Sequence, residues 1–85
     1  MVTVYVLYSR DHRRFYRGIT NDLTRRLNEH NTGKVYATHR YIPWIVVLVE
    51  TYDDHQEARN REKYLQSSAG RRFLKLKLDE NDPFV

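Results

Sequence analysis

The sequence predicts a single small α+β domain that runs through a β-hairpin, a helix, a strand, a second helix and a short C-terminal helix. Residues 2–9 and 14–18 are rich in β-branched and aromatic side chains and flank a short polar connection, which is typical of a hairpin. Residues 23–30 and 54–65 carry apolar side chains at helical spacing. Residues 44–51 are almost continuously apolar, which indicates a buried strand in the centre or inner part of the sheet.

Composition limits the classes of protein to which this chain can belong. The 85 residues suffice for one domain, which we expect at 1–78, followed by an acidic and flexible tail at 79–85. Without cysteines the chain can form neither a disulfide nor a thiolate zinc site. Its apolar run is too short to cross a bilayer, and the N-terminus lacks a signal-peptide pattern. We therefore expect a soluble, cytoplasmic protein that does not act at a membrane.

Positive charge is concentrated in the first part of the chain. The formal net charge is +4, and 11 of the 15 basic residues are arginines, which favour bidentate contacts with phosphate. Residues 1–50 carry eight basic and four acidic side chains, whereas residues 51–85 carry seven of each. This asymmetry predicts a phosphate-facing surface. The alternative is a basic surface with no such partner.

Strand alternation in the hairpin separates two sets of side chains. The first strand places Val2, Val4, Val6 and Tyr8 on one face, and Thr3, Tyr5 and Leu7 on the other. The returning strand brings Tyr16 near Tyr5 on the neighbouring antiparallel strand. Gly18 then removes a side chain where this strand gives way to the first helix, which allows close approach of another group.

The first helix carries an arginine and a histidine on its apolar edge. Any of residues 20–22 can cap its N-terminus, and Gly33 is suited to end it. On a helical wheel, Arg26 and His30 share the edge of the two leucines, whereas Arg25 points the opposite way. The inward cation and imidazole must either be covered by partners or face a ligand in a groove.

The segment 34–42 has no regular period, and we interpret it as an exposed loop. Its cations Lys34, His39 and Arg40 stand among two tyrosines, a mixture suited to phosphates and bases. An ordinary packed loop would have the same composition.

The second helix places Glu62 within its apolar stripe, which Ala58 and Leu65 define on the wheel. Asp54 is positioned to cap this helix. An acid on the core side needs a buried arginine, a hydrogen-bonded neighbour or a metal ion. For an isolated glutamate, a salt bridge to an arginine is the most common of these interactions.

Small and polar residues at 67–70 interrupt the second helix. In the next segment, 71–78, apolar and polar residues alternate as in a strand, but the same residues also suit a short amphipathic helix. We expect a helix that packs on the open face of the sheet.

No glycine-rich phosphate loop, no assignable serine triad and no closely spaced histidine pair is present. What remains is a set of chemically capable side chains from two strands and two helices: Tyr5, Tyr16, Arg26, His30 and Glu62. Taken singly, each of these residue types more often packs or faces solvent than takes part in catalysis.

Three short motifs together resemble the GIY-YIG nuclease family, especially its small stand-alone bacterial members, from Val2 to about Leu65. They are Thr3-Val4-Tyr5, Tyr16-Arg17-Gly18 and the segment from Ala58 to Glu62, with Arg26 ten residues after Tyr16 and His30 four further on. The resemblance implies a three-stranded antiparallel sheet flanked by helices, which agrees with the elements above. It also implies catalytic roles for Tyr5, Tyr16, Arg26 and His30, and a metal-binding role for Glu62 with Mg²⁺ or Mn²⁺.

The function implied by this resemblance is metal-dependent hydrolysis of phosphodiester bonds. We expect an endonuclease that nicks nucleic acid, with DNA favoured over RNA and a role in DNA repair or recombination. Thr3 and Arg17 depart from the family motif, and Arg17 adds a charge beside Tyr16. We expect Arg17, Lys34, His39 and Arg40 to contact the nucleic acid. No appended DNA-binding domain is evident, so target choice would come from this domain, a homodimer or a protein partner.

Two alternatives stay open at this point. A catalytically silent nucleic-acid-binding module of the same fold would use the same basic groove without turnover. A small protein-interaction domain would leave the arginine excess without a purpose.

Overall fold

The computed structural model describes residues 1–81, with side chains described for residues 1–79. It confirms the α+β fold, with one antiparallel sheet of three strands and helices on both of its faces. The strands are β1 (Val2–Ser9), β2 (Arg14–Thr20) and β3 (Ile45–Tyr52). The helices are α1 (Leu23–Asn31), α2 (His55–Gln66) and α3 (Ser68–Asn81), with a 3₁₀ turn at His39–Tyr41.

The strand order is β2-β1-β3, so the prediction that the third strand is central was wrong. The first strand occupies the centre, and its residues 4–7 are at most 1% exposed. At the edge, Ile45 and Val49 of β3 are 37% and 47% exposed. The apolar run of β3 arises because Val46 packs on one side of the sheet while Val47 and Leu48 pack on the other. Apolarity on both faces therefore did not distinguish an edge strand from a central one.

Two hydrophobic clusters lie on opposite faces of the sheet, as the alternation in β1 predicted. Val4 and Val6 pack with residues of α2 and α3, namely Ala58, Leu65 and Leu74. Tyr5 and Leu7 pack with Trp44 and with the two leucines of α1. The two motif tyrosines are therefore on the α1 face.

The first helix and the loop that follows it are joined by specific hydrogen bonds. Asp22 caps α1 by accepting a hydrogen bond from a backbone N–H of the first turn at 3.1 Å, and Gly33 beyond the end adopts φ of +80°. The Asn31 side chain accepts from the Trp44 N–H at 2.7 Å and donates to its carbonyl at 3.1 Å. The Trp44 indole donates to the Thr38 carbonyl at 3.1 Å. Part of the predicted exposed loop is thus a packed structure.

The second and third helices meet at a sharp, closely packed junction. Asp54 caps α2, accepting from the Gln56 N–H at 2.6 Å. A Cβ at Gly70 would overlap the backbone of Tyr64 and Leu65, so only glycine permits this approach. Helix α3 confirms the helical interpretation of 71–78. It also includes the first three residues of the predicted tail, while residues 82–85 lie outside the described residues.

Candidate active site

A buried chain of hydrogen bonds starts at the first motif tyrosine. The Tyr5 hydroxyl lies 2.9 Å from His30 Nε2, and His30 Nδ1 lies 2.7 Å from the Thr38 hydroxyl. All three side chains are at most 1% exposed. His30 is therefore held between two protein groups and is closed off from solvent.

One arrangement of protons satisfies every member of this chain. The Thr38 hydroxyl donates to the Val35 carbonyl at 3.5 Å, so it accepts from His30 Nδ1–H, and Nε2 is left to accept from the Tyr5 hydroxyl. This tautomer requires a neutral imidazole. Burial, and then the charge of Arg26, lower the pKa of His30 and so favour that form.

The hydroxyl of Tyr5 is close enough to Arg26, Tyr16 and Glu62 for each of them to influence its pKa. Burial raises its pKa, a hydrogen bond from Arg26 opposes this shift, and electrostatic interactions with Tyr16 and then Glu62 raise it further. These partners come from α1, β2 and α2. A buried phenol with a raised pKa is poorly suited to accept a proton from water, so Tyr5 serves better as a fixed hydrogen-bonding partner.

The second motif tyrosine is more accessible. Tyr16 is half-buried, and its ring lies 6.4 Å from that of Tyr5 and 4.9 Å from the imidazole of His30, measured between centroids. A further ring contact at 6.4 Å joins it to Trp44. These edge and tilted contacts fix the ring from three sides. Tyr16 is thus the more solvent-accessible of the two motif tyrosines.

Gly18 allows the Tyr5 ring to reach this position. The two residues are directly paired across β1 and β2. A Cβ at Gly18 would overlap the hydroxyl and the ring of Tyr5. The predicted close approach at this glycine is therefore made by the protein's own tyrosine.

The two neighbouring arginines of α1 differ as the helical wheel predicted. The Arg26 side chain is 35% exposed, donates to Glu29 at 3.0 Å and hydrogen-bonds Tyr5. The Arg25 side chain is 59% exposed and pairs with Asp22 at 3.6 Å and Glu29 at 3.4 Å. Only Arg26 lies beside the tyrosines, with its guanidinium fixed by Glu29 and Tyr5.

Glu62 is half-buried and differs from the other half-buried glutamates of the described chain. Glu50 forms a two-pronged ion pair with Arg61 at 2.8 and 3.0 Å, and Glu29 pairs with the arginines of α1. Among the side chains of residues 1–79, none forms a hydrogen bond or salt bridge with Glu62. The salt-bridge alternative for this residue therefore finds no partner within that range.

The donor set suits a hydrated magnesium ion better than a fully protein-bound metal. No group of three or more His, Cys, Asp or Glu side chains converges within the described residues. Mg²⁺ often keeps several water ligands and binds through one or two carboxylates together with substrate phosphates. The single unpaired carboxylate of Glu62 fits that mode, whereas it would not suffice for zinc.

Arg17 does not lie beside the tyrosines, which corrects its expected position. It pairs with Val6 in the β1–β2 register and so lies on the α2 face of the sheet. There its Nε donates to the Leu65 carbonyl at 3.0 Å. Alternation along a strand sends adjacent residues to opposite faces, so neighbourhood in sequence with Tyr16 misled the interpretation.

The arginine that shares the face of Tyr16 is Arg14, two residues earlier, which the sequence interpretation missed. Its guanidinium carbon lies 4.5 Å from the centre of the Tyr41 ring, and the His12 ring meets the same tyrosine at 5.2 Å. Tyr41 in turn contacts Trp44 at 6.4 Å. Arg14 therefore places an exposed cation against an aromatic ring on the same face of β2 as Tyr16.

The other predicted nucleic-acid contacts lie on the loop after α1. Lys34 and Arg40 are exposed, and His39 is half-buried. His39 Nδ1 donates to the Tyr36 carbonyl at 2.6 Å, and its ring lies 5.3 Å from that of Tyr36, which is 83% exposed. The structure does not bring these three side chains beside Tyr5 and Tyr16, but Lys34 and Arg40 remain exposed.

Comparison with known proteins identifies the relatives of this chain. A family model described as the GIY-YIG catalytic domain matches residues 1–75. The solution NMR structure of the UPF0213 protein from Bacillus halodurans is similar, with a TM-score of 0.56 and 27% identity over 99% of this chain and 90% of that one. No curated protein matches the chain. Within the described residues, no helix has the length and apolarity needed to span a membrane.

The family match indicates the general activity of the chain. GIY-YIG domains are nucleases, which act on nucleic acid and generally depend on a divalent metal. The matched range includes both tyrosines, the α1 arginine and the α2 glutamate. The protein belongs to the GIY-YIG nuclease family.

Proposed function

We propose that this protein is a metal-dependent endonuclease that nicks DNA, with Tyr16, Arg26 and Glu62 as the groups that meet the substrate. The observation that carries the proposal is the pairing of the Tyr5 and Tyr16 rings, whose centroids lie 6.4 Å apart, with Arg26 hydrogen-bonded to Tyr5, while Glu62 has no side-chain partner among residues 1–79. A tyrosine, a half-exposed arginine and an unpaired carboxylate supply complementary chemistry for phosphodiester hydrolysis.

The proposed reaction is attack by water on phosphorus. Negative charge then develops on the non-bridging oxygens and on the leaving oxygen. Arg26, oriented by Glu29 and Tyr5, donates to the non-bridging oxygens. Tyr16 hydrogen-bonds the attacking water and removes its proton, while Tyr5 and the buried His30 hold the surrounding groups in place.

Glu62 is the residue proposed to hold Mg²⁺ or Mn²⁺. When bound, such an ion supplies Lewis-acid stabilisation of phosphate and leaving-group oxygens. The carboxylate needs no rearrangement of a structural ion pair to serve this purpose, because no other described side chain occupies it.

The proposed binding surface is the basic and aromatic face around these residues. Arg14 on Tyr41 continues the face along β2, and exposed Lys34 and Arg40 lie on the loop after α1. Such cations bind phosphates irrespective of the base sequence. We therefore expect DNA structure, and not DNA sequence, to determine where the protein cleaves.

The test is conversion of supercoiled plasmid to nicked circles, with Mg²⁺ or with EDTA. We expect Mg²⁺-dependent nicking, with linear product only after repeated events, since one site cuts one strand at a time. A parallel series with duplex, branched and RNA substrates defines the preference. Salt-sensitive binding without cleavage of any of these substrates would instead support the catalytically silent binding module.

A further inference from the structure

An open cleft at the β2 edge of the sheet holds two arginines that the proposed reaction does not use. It lies where β2 meets the junction of α2 and α3, and its lining residues are Phe15, Tyr16, Arg17, Gln66 and Arg71. The lining combines two guanidinium groups with an amide, and no carboxylate of residues 1–79 takes part in it.

Arg17 is fixed in this cleft by one of its nitrogens. Nε donates to the Leu65 carbonyl at 3.0 Å, near the C-terminal end of α2, and the guanidinium carbon lies 5.7 Å from the centre of the Phe15 ring. None of the side chains described for residues 1–79 accepts a hydrogen bond from the two Nη groups. The arginine is thus oriented by the backbone while its terminal donors stay available.

Arg71 brings a second positive charge to the same place. It is exposed, and no acidic side chain within residues 1–79 pairs with it or with Arg17. Burial, and then the charge of Arg71, lower the pKa of Arg17. Two guanidinium groups that repel each other without a counter-charge are an arrangement that an oxyanion would stabilise.

We propose that this cleft binds a phosphate group through Arg17 and Arg71, with the Gln66 amide as a further donor. A guanidinium can donate two parallel hydrogen bonds to a phosphate, which favours this anion over a simple halide. We assign the phosphate to the backbone of a nucleic-acid strand away from the cleaved bond, a step that rests on the proposed function. The geometry permits it because β2 is an edge strand, and its adjacent residues Tyr16 and Arg17 face opposite sides.

The first arm of the test uses inorganic phosphate alone. Titration of ¹⁵N-labelled protein should shift the amide signals of Gln66 and Arg71 and the Nε–H signal of Arg17. The signals of Arg25 and Arg59, which are exposed elsewhere, should not respond in the same range. Arg71→Ala should abolish the shifts, whereas Arg72→Ala, a change of the neighbouring exposed arginine, should retain them.

The second arm measures binding of a short duplex in EDTA, where no cleavage occurs. Loss of one phosphate contact lowers the slope of log affinity against log salt by ~0.9. We expect that decrease for Arg71→Ala relative to Arg72→Ala, with both variants folded. Phosphate shifts with equal salt slopes would keep the phosphate site but assign it to a free phosphate ligand.

The proposal would be overturned if phosphate shifted none of the NMR signals of the cleft and the salt slopes of Arg71→Ala and Arg72→Ala were equal. Because neither arm involves turnover, its failure is distinct from failure of the nuclease assignment. A protein that never nicks DNA can still show the expected shifts and slope, and a nuclease with an inert cleft can still nick plasmid.

Discussion

The Tyr5 hydroxyl lies 2.9 Å from His30 Nε2, and both side chains are at most 1% exposed. The motif tyrosine is therefore anchored from behind by a histidine that solvent does not reach. Since the other imidazole nitrogen is 2.7 Å from the Thr38 hydroxyl, both ring nitrogens of His30 have a hydrogen-bond partner. His30 therefore stabilises the position of the Tyr5 hydroxyl, and protonation of the imidazole would disturb this hydrogen bond.

The pH dependence of folding follows from this arrangement. His30 has its pKa lowered in the folded state by burial and then by Arg26, relative to 6.5 in an unperturbed imidazole. Between about pH 6.5 and the lower folded-state pKa, the unfolded chain therefore binds more protons than the folded chain. Stability that is present above about pH 6.5 is lost as pH falls through the folded-state pKa. Melting temperature should decline over that range in wild type.

NMR titration of the imidazole signals provides the direct measurement. We expect His30 to titrate below 6.5, and His30→Gln to melt at a lower temperature but with a weaker acid dependence. His55→Gln, a change at an exposed histidine, is the control. A His30 signal that titrates above 6.5 would contradict the buried neutral form, even if His30→Gln fails to fold.

The two tyrosines should respond differently to loss of their hydroxyls. Tyr16→Phe keeps the ring contacts but removes the group proposed to activate water, so turnover should fall ~10²-fold or more. Its stability should hardly change. Tyr5→Phe removes a buried hydrogen bond to His30 and should lower the free energy of unfolding by roughly 1–3 kcal/mol. Full activity in Tyr16→Phe together with loss of activity in folded Tyr5→Phe would assign the base to Tyr5.

Arg26 and Arg25 form a matched pair on one helix. Arg26→Ala should reduce the single-turnover cleavage rate by ~10²-fold or more, because it removes a donor to the transition-state phosphate. Arg26→Lys should also cleave slowly, since an ammonium group cannot donate the two parallel hydrogen bonds of a guanidinium. Arg25→Ala should weaken only salt-sensitive binding. Equal rate losses at saturating protein, or a larger loss at Arg25, would contradict the assignment.

Arg14 tests the proposed extension of the binding surface along β2. Arg14→Ala removes an exposed cation that lies on Tyr41, so affinity for a duplex should fall and the salt slope should decrease by ~0.9. The rate at which bound substrate is cleaved should change little. Arg59→Ala, at an exposed position of α2, is the matched control. Identical salt slopes for the two variants would exclude Arg14 from the interface.

Local periodicity predicted much of the site. The alternation of β1 correctly separated Tyr5 from Val4 and Val6, and the wheel of α1 correctly separated Arg26 from Arg25. These predictions succeeded because a side chain's direction within one element depends only on that element's geometry.

Relationships between elements were harder to predict. The order of strands depends on long-range pairing, so the apolar run of β3 suggested a centre that β1 occupies. The burial of His30 depends on Thr38 in a loop without any period. Arg17 was a different kind of error, because the alternation that excludes it from the face of Tyr16 and includes Arg14 was already present in the sequence.

The most direct measurement is the single-turnover rate of DNA nicking by Glu62→Gln in Mg²⁺, beside wild type and Glu57→Gln. Glutamine keeps the shape of the half-buried side chain but removes the charge proposed to hold the ion, while Glu57 is exposed on the same helix. We predict that Glu62→Gln folds, melts within a few degrees of wild type and binds DNA, yet loses Mg²⁺-dependent cleavage, whereas Glu57→Gln retains it. A folded Glu62→Gln protein with undiminished Mg²⁺-dependent cleavage would contradict the metal-binding role, and so would a large loss of stability that revealed a structural role instead.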